Sequence, residues 1–282
     1  MIRGCPTTIR MRLKGVMARL AIIGYCQTVA LLNALGSWRE ALRADAALSG
    51  VDLNAPTGWE QVNTEGKLYD LCVDEPYSAL RGSRFSLLNP SVPPAARFAA
   101  TRGIGDGQIV YTKALETFLA QAGASDVIVS VMNGSELYSD LLWRDFPDFD
   151  CFPYDQDQPD LPPIDALYVA QAAQQAASWL LATLIVMRQA LPNHRIIHVS
   201  PPPPVLGISP ERRVRPSLQV KWYRAILERI RIDTQSLGVE LIEVDAETMT
   251  EDGFLKPEFA DGETRGNVHF GRRLARDLLS RI

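Results

Sequence analysis

Short apolar runs alternate with segments of helical periodicity along most of the chain. Four runs are short enough to be buried strands, at residues 19–23, 126–131, 194–200 and 239–244. Apolar positions at helical spacing predict helices over 28–44, 109–122, 165–191, 216–237 and 267–282. Continuous apolar strands between amphipathic helices are typical of a parallel sheet covered on both faces. The pattern therefore predicts an α/β fold, a three-layer αβα sandwich with a mainly parallel central sheet.

Residues 50–107 carry a weaker signal, because they are rich in Gly, Pro, Asn and Ser. Their strand candidates are weak and lie near 51–53 and 71–73. No stretch has the composition of a linker, so we expect residues 19–282 to form one domain. The basic residues 1–18 are expected to form a flexible N-terminal extension.

The composition narrows the class of protein. Of the 282 residues, 46% are hydrophobic and 22% are charged, with a formal net charge of −4, which is ordinary for a globular protein. No stretch collects the Lys and Arg needed to neutralise a phosphate backbone, so we predict no nucleic-acid partner. No apolar run is continuous enough to predict a membrane span. The four cysteines, without a CxxC pair, favour a reducing compartment, and we expect a cytoplasmic protein.

Chemistry is expected in the segments that follow the strands, since ligands of open α/β sheets bind beyond the carboxyl ends. Three such segments have sequences of interest: "IIGYCQTVAL" (22–31), "VIVSVMNGSELY" (127–138) and "LKPEFADGETRGNVHFGRRLA" (255–275). In this order and spacing they resemble the opening, middle and closing motifs of the SGNH (GDSL-like) hydrolase superfamily. The resemblance spans almost the whole chain. It implies a flavodoxin-like αβα sandwich and an esterase or acyltransferase ancestry.

The resemblance places the catalytic groups of that family at positions where this sequence has other residues. Cys26 stands where the family has its nucleophilic serine. Arg265 stands at the position of the catalytic histidine, and Gly262 at the position of the aspartate three residues earlier, with Asp261 one position away. The resemblance thus implies a retained scaffold with substituted catalytic residues.

The oxyanion-hole asparagine of the family aligns with Ser135, between Gly134 and Glu136. Ser135 is a candidate hydroxyl donor to an oxyanion, and the alternative is that it caps the following helix. From the same alignment, the predicted ligand-binding residues are Gly24, Tyr25, Gln27, Gly134, Glu136, Asp261 and Asn267.

The substitution at Arg265 removes the general base, because a guanidinium stays protonated at every relevant pH. As a nucleophile, Cys26 depends less on a general base than a serine does, since a thiol is partly ionised near neutral pH. A helix N-terminus and a nearby guanidinium both lower a thiol pKa, so we expect Cys26 and Arg265 to form a thiolate–guanidinium pair. Such a pair would accept an acyl group or react with an oxidant, but deacylation would still lack its base. The alternative is that Cys26 packs as a small buried hydrophobe.

Histidine is the other candidate base, and the chain has three. His269 remains a catalytic candidate, although one helical turn displaces it from Arg265 by about 5–6 Å; the alternative is a structural role. His194 and His198 lie about 13 Å apart if they share a strand, too far to share a metal. We predict structural roles for both, with His198 retained as a weaker candidate because it lies near the end of its strand.

An acidic, aromatic loop is expected at about 144–163. It lacks the central Gly and the terminal Glu of an EF-hand, so we predict no metal site there. "TRGIGDG" (101–107) lacks the Lys-Ser/Thr of a phosphate loop, and we predict no cofactor. The aromatic residues Phe146, Phe149 and Phe152 favour a lid over the site or a surface for a protein partner.

Three functional hypotheses follow. The first is a non-catalytic or weakly active protein that binds an ester-like, saccharide-like or protein ligand in the inherited cleft. The second is an esterase or acyltransferase, acting on an ester or an acylated saccharide, with Cys26 as nucleophile. The third is a thiol or redox role of Cys26 activated by Arg265.

Overall fold

The central sheet of the computed structural model has six strands, five of them parallel. The residues that the structure describes are 18–25, 27–53, 55, 66–75, 77–88, 100–102, 109–132, 150–151, 160–206, 216–262 and 265–282. The six strands are β1 (Leu20–Gly24), β2 (Tyr69–Asp70), β3 (Arg84–Leu87), β6 (Val127–Val131), β9 (Arg195–Val199) and β10 (Glu240–Ile242). Two further pairs lie outside this sheet: β4 (Ala100–Arg102) with β5 (Ile109–Tyr111), and β7 (Asp150–Cys151) with β8 (Pro163–Ile164).

The strand order across the sheet is β10-β9-β6-β1-β3-β2, with β2 alone running antiparallel. Counting the parallel strands alone, the order is 2-1-3-4-5, the doubly wound order of flavodoxin-like folds. In that order the chain reverses its direction of winding between β1 and β6. The crevice at the carboxyl ends of those two strands is where such a fold holds a ligand.

Helices cover both faces of the sheet. In the part of the chain that the structure describes, they are α1 (Thr28–Leu35), α2 (Trp38–Arg43), α3 (Lys113–Ala122), α4 (Ala166–Ala176), α5 (Ser178–Ala190), α6 (Pro216–Ser236) and α7 (Val268–Arg281). One face packs on α3, α4, α5 and α6, and the other packs on α1, α2 and α7. Alternate residues of β1 divide between the two cores, Ala21 and Ile23 on the first face and Leu20 and Ile22 on the second. The predicted three-layer αβα sandwich with a mainly parallel sheet is confirmed.

Three predicted helices differ from those observed. The helix expected over 28–44 ends at Gly36, where a Cβ would overlap the carbonyl oxygen of Cys72, and a second helix begins at Trp38. The helix expected over 109–122 begins only at Lys113, because the first three residues form β5. The long helix expected over 165–191 is two helices that meet at a bend of 53°.

The strand predictions are right for the buried core and incomplete elsewhere. The four apolar runs form β1, β6, β9 and β10, within one or two residues of the expected bounds. The weak candidate at 51–53 is not a strand, and near 71–73 the strand is Tyr69–Asp70. Strand β3, which pairs directly with β1, was not predicted.

No single helix among the described residues is long and apolar enough to cross a membrane. Helices α4 and α5 together have the length and composition of a span, with a bend of 53° between them.

Candidate active site

The bend after β1 is tightly closed by backbone and side-chain contacts. The amide of Thr28 donates to the carbonyl oxygen of Tyr25 at 2.9 Å, which closes the turn at the start of α1. Gly24 leaves no room for a side chain, because a Cβ there would overlap Thr28 Oγ1 and the carbonyl oxygen of Val131. Cys26 belongs to this turn by sequence and itself lies outside the described residues. Gly24, Tyr25, Gln27 and Thr28 are thus held at the carboxyl edge of the sheet, where β1 and β6 lie side by side.

Tyr25 anchors the bend on one face of the sheet. Its side chain is buried, and its ring meets the ring of Trp179 edge to face, with centroids 5.8 Å apart. Trp179 lies in α5, so an aromatic contact fixes the bend to the helical layer of that face. The contact was not foreseen in the sequence, because the two residues lie more than 150 positions apart.

Gln27 ties the bend to the closing segment on the other face. Its buried Oε1 accepts a hydrogen bond from the amide of Gly266 at 3.3 Å, across 239 positions of sequence. Gly266 directly follows Arg265. The structure therefore brings the segment of Cys26 and the segment of Arg265 together at the carboxyl edge of the sheet.

The closing segment is a short loop that Asn267 holds in place. The side-chain oxygen of Asn267 accepts from the amides of His269 and Phe270 and so caps α7, while its nitrogen donates to the carbonyls of Glu258 and Ala260. All of its hydrogen-bonding capacity is used inside the protein. Asn267 thus positions this loop.

Arg265 and His269, the two candidate catalytic residues of the closing segment, are exposed. The backbone oxygen of Arg265 accepts from the amide of Asp261 at 2.7 Å, which narrows the loop. Gly262 sits at the turn with φ of +79°, a conformation that glycine adopts without strain. With respect to the described residues, neither the Arg265 guanidinium nor the His269 ring makes a hydrogen bond or ion pair. Both are therefore open to solvent or to a ligand.

Close packing of α1 against α7 keeps the bend after β1 and the closing segment next to each other. Gly271 of α7 lies directly against the backbone of α1, where a Cβ would overlap the carbonyl oxygen of Ala30. Helices approach this closely only where a small residue faces the partner backbone. Gly271 is a positioning residue that the sequence motif contained but that was not singled out.

Only the first half of the middle motif, residues 127–132, is described in the structure. Gly134, Ser135 and Glu136 follow β6, the strand that pairs with β1, and they lie outside the described residues. Most of the acidic loop at about 144–163 is also outside them. The predicted oxyanion and ligand-binding roles at these positions stay predictions.

A buried polar pair lies on the sheet, on the face that packs against α6. His198 of β9 is fully buried, and its Nδ1 lies 3.1 Å from Ser130 Oγ of β6. Burial lowers the pKa of His198 from its ordinary value of 6.5 to about 3, so the ring is neutral at physiological pH. Its Nε2 has no hydrogen-bond partner among the residues that the structure describes. Both residues interrupt apolar strand sequences, "VIVSV" and "RIIHV", and this is the signal by which the pair could have been predicted.

Metal ligands do not cluster in the described part of the chain, where no three His, Cys, Asp or Glu residues are placed to hold an ion. His194 is 3.1 Å from the carbonyl oxygen of Gly123 through its Nε2, a structural contact on the surface.

Several solved structures are similar to this chain. A GDSL-like lipase from Bacteroides thetaiotaomicron has 7% sequence identity and a TM-score of 0.46, over 94% of this chain and 89% of its own. A carbohydrate acetylesterase from Sinorhizobium meliloti has 12% identity and a TM-score of 0.42, over 93% and 97%. The periplasmic domain of a lipopolysaccharide acetyltransferase from Salmonella ser. Paratyphi A has 13% identity and a TM-score of 0.45, over 95% and 84%.

No protein-family model and no curated protein matches the sequence. The similarity concerns the fold and leaves the chemistry of the individual site residues open.

Proposed function

We propose that this chain is an SGNH-type protein that binds a small ester-like or saccharide-like ligand at the carboxyl edge of its sheet and lacks serine–histidine hydrolysis. The observation that carries the proposal is the hydrogen bond from the Gly266 amide to Gln27 Oε1. It supports a shared site for Cys26 and Arg265, the positions that correspond to nucleophile and base in the family that the sequence resembles.

The identity of those two residues argues against turnover. Hydrolysis of an ester needs a group that takes a proton from the nucleophile and returns one to the leaving group. Arg265 is permanently protonated and performs neither step. His269 is exposed in the first turn of α7, two residues after the N-cap Asn267, and its ring has no carboxylate partner among the described residues to orient it as a base. A ligand would therefore be held by the cleft without being cleaved.

The experiment is an esterase assay with p-nitrophenyl acetate on the wild type and on Cys26→Ala. We expect no turnover that depends on Cys26. The triple substitution Cys26→Ser, Arg265→His and Gly262→Asp restores the chemical groups of the family, and we expect it to gain measurable esterase activity. Open space surrounds the new Cβ at position 262, and the positive φ there strains any side chain, although aspartate is one of the residues that adopt a left-handed backbone most often. Multiple turnovers by the wild type that disappear in Cys26→Ala would contradict the proposal.

A second candidate function is acyl transfer through Cys26, and the position of α1 favours it. Cys26 precedes Thr28, the first residue of a helix whose N-terminus is directed at the carboxyl edge. The positive end of a helix dipole stabilises a thiolate. In this case p-nitrophenyl acetate would release one nitrophenolate per chain in a burst, and mass spectrometry would find an acetyl thioester on the peptide of Cys26.

A thiol or redox role is the third candidate, and alkylation distinguishes it from the other two. The rate of iodoacetamide labelling is measured against pH with peptide mapping, in a Cys72→Ser background because Cys72 is a free, exposed thiol. A role of this kind requires an apparent pKa of Cys26 well below the usual value of about 8.5. The Arg265→Gln variant should then raise that apparent pKa. An unlabelled Cys26 in the folded protein would exclude this role.

A further inference from the structure

The N-terminus of α1 has no anionic partner within the helix itself. Gln27 is the N-cap residue, but its side chain makes no capping hydrogen bond, and its Oε1 accepts from the amide of Gly266 instead. The first turn contains no acidic residue, and the whole helix is uncharged. The positive end of a helix dipole attracts an anion, whether a side chain or a ligand. At the carboxyl edge of the sheet, α1 therefore presents a positive end that its own residues leave without a counter-charge.

A buried hydroxyl at the same place has no partner. Thr28, the first residue of α1, is fully buried, and its Oγ1 makes no hydrogen bond within the described structure. A Cβ on Gly24 would overlap both this oxygen and the carbonyl oxygen of Val131. The hydroxyl therefore points into the gap between the ends of β1 and β6, where the winding of the sheet reverses. Buried hydroxyls normally have a partner, and a ligand oxygen at this point would supply one.

Arg265 brings a permanent positive charge to the same edge. The residue that follows it, Gly266, is tied to Gln27 by a hydrogen bond. The guanidinium of Arg265 is exposed and forms no hydrogen bond or ion pair with any residue that the structure describes. This holds for Asp261 as well, although the amide of Asp261 donates to the backbone oxygen of Arg265. The described part of the loop therefore leaves the charge of Arg265 without a counter-charge.

The neighbouring arginines that stabilise the fold have carboxylate partners. Arg273 and Arg276 of α7 both pair with Asp245, at 3.5 and 2.9 Å. Arg265 differs from them, since it has no such partner and lies beside a helix N-terminus without a side-chain cap. A guanidinium and a helix N-terminus are the two groups that proteins use most often to bind carboxylates and phosphates.

We infer that the ligand of the proposed site carries an oxyanion group, a carboxylate or a phosphate, held between the N-terminus of α1 and Arg265. This inference rests on the proposed function and narrows its ligand to the anionic members of the ester-like and saccharide-like class. The guanidinium of Arg265 donates paired hydrogen bonds to two oxygens of the group. The hydroxyl of Thr28 donates to the oxygen nearest the sheet. Arg265 is thus the residue that determines specificity for a charged ligand.

The experiment is isothermal titration calorimetry with glucuronate, glucose 6-phosphate and glucose. We expect at least one of the two anions to bind about tenfold or more tightly than glucose, because a hydrogen bond to a charged group adds that much affinity. The tighter of the two identifies the group as carboxylate or phosphate. Arg265→Gln should remove the preference for the anion over glucose, and Arg265→Lys should recover part of it.

Thr28→Val separates a role in binding from a role in folding. Valine has the same shape and lacks the hydroxyl, which has no partner to lose in the free protein. The urea midpoint should therefore stay the same or rise, while the affinity for the anion falls by about tenfold. A lower midpoint with unchanged affinity would show that the hydroxyl serves the fold and does not bind the ligand.

The matched control is Arg224→Gln, which removes an exposed arginine of α6 on the opposite layer of the fold. It should leave the affinity for the anion unchanged. Equal losses in Arg224→Gln and Arg265→Gln would overturn the inference, as would anions that bind no more tightly than glucose or fail to bind at about 10 mM.

The esterase assay on the triple variant tests the proposed function separately, because its substrate is a neutral ester. Gain of esterase activity without any preference of the wild type for anions would overturn this inference alone. A preference for anions that depends on Arg265, together with turnover by the wild type that depends on Cys26, would contradict the proposed absence of hydrolysis and leave the anion site in place.

Discussion

The hydrogen bond between Gln27 and Gly266 is the contact on which the candidate site depends, and Gln27→Met tests it. Methionine keeps the length and the apolar stem of the side chain but cannot accept the hydrogen bond. The substitution leaves the buried amide of Gly266 without its hydrogen-bond acceptor. An unsatisfied buried donor costs about 1–3 kcal/mol.

The expected loss of unfolding free energy is therefore about 1–3 kcal/mol, a factor of roughly 5 to 150 in the folding equilibrium. Urea unfolding followed by fluorescence measures it as a lower midpoint with an unchanged slope. The same variant should change the rate at which iodoacetamide labels Cys26, because the closing segment is no longer tied to the bend.

Gln121→Met is the matched control. Gln121 Oε1 accepts from the amide of Leu68 at the same distance, 3.3 Å, but in a partly buried position away from the sheet edge. It should lose some stability while leaving the labelling rate of Cys26 as in the wild type. If Gln27→Met keeps both the urea midpoint and the labelling rate of the wild type, the link between the two segments does not hold the site together.

Three further perturbations test the packing and the electrostatics of the fold. Gly271→Ala should lower the unfolding free energy in a urea titration by about 1–3 kcal/mol or more, because the new Cβ overlaps the backbone of α1. Gly123→Ala is the control, since its new Cβ makes only an ordinary van der Waals contact, and it should change the unfolding free energy by less than about 0.5 kcal/mol. The hydrogen bond from Arg195 lowers the pKa of Glu240 below its ordinary value of 4.5. This stabilisation is fully present above the unfolded pKa and is lost as pH falls through the folded one. The stability difference between the wild type and Glu240→Gln should therefore shrink in acid titrations as pH falls below about 4.5 and vanish once pH lies below the lowered pKa. Burial lowers the pKa of His198 to about 3. Between that pH and about pH 6.5 the imidazole is therefore protonated in the unfolded chain but not in the folded one, and the unfolding free energy should decrease as pH falls below about 6.5. An NMR titration that detects protonation of the His198 ring in the folded protein between pH 5 and 8 would contradict the burial argument.

The layers of the fold were predictable because the buried strands are continuous apolar runs. Strand β3 was not predicted, because Arg84–Leu87 is only four residues long and its polar and apolar residues alternate. Phe85 and Leu87 lie on one face of the sheet and Ser86 lies on the other. The helix expected from residue 109 failed for a different reason. The prediction began that helix at residue 109, but Val110 and Tyr111 are exposed on β5, with 60% and 48% of their surface accessible.

The site was predictable only in part. Motif order located the bend of Cys26 and the segment of Arg265, because both follow strands of one parallel sheet. The contacts that hold them join residues distant in sequence: Gln27 with Gly266, and Tyr25 with Trp179. No local pattern encodes such pairs, since each partner alone fits its helix or turn without them.

The two outermost strands of the central sheet limit the association of folded copies of this chain through strand pairing. Strand β10 has three residues and β2 has two, and β2 runs against the direction of its neighbour. An incoming strand would find too few free amides and carbonyls at either border for a stable ladder. The described borders of the central sheet thus disfavour its growth by addition of a strand from another copy.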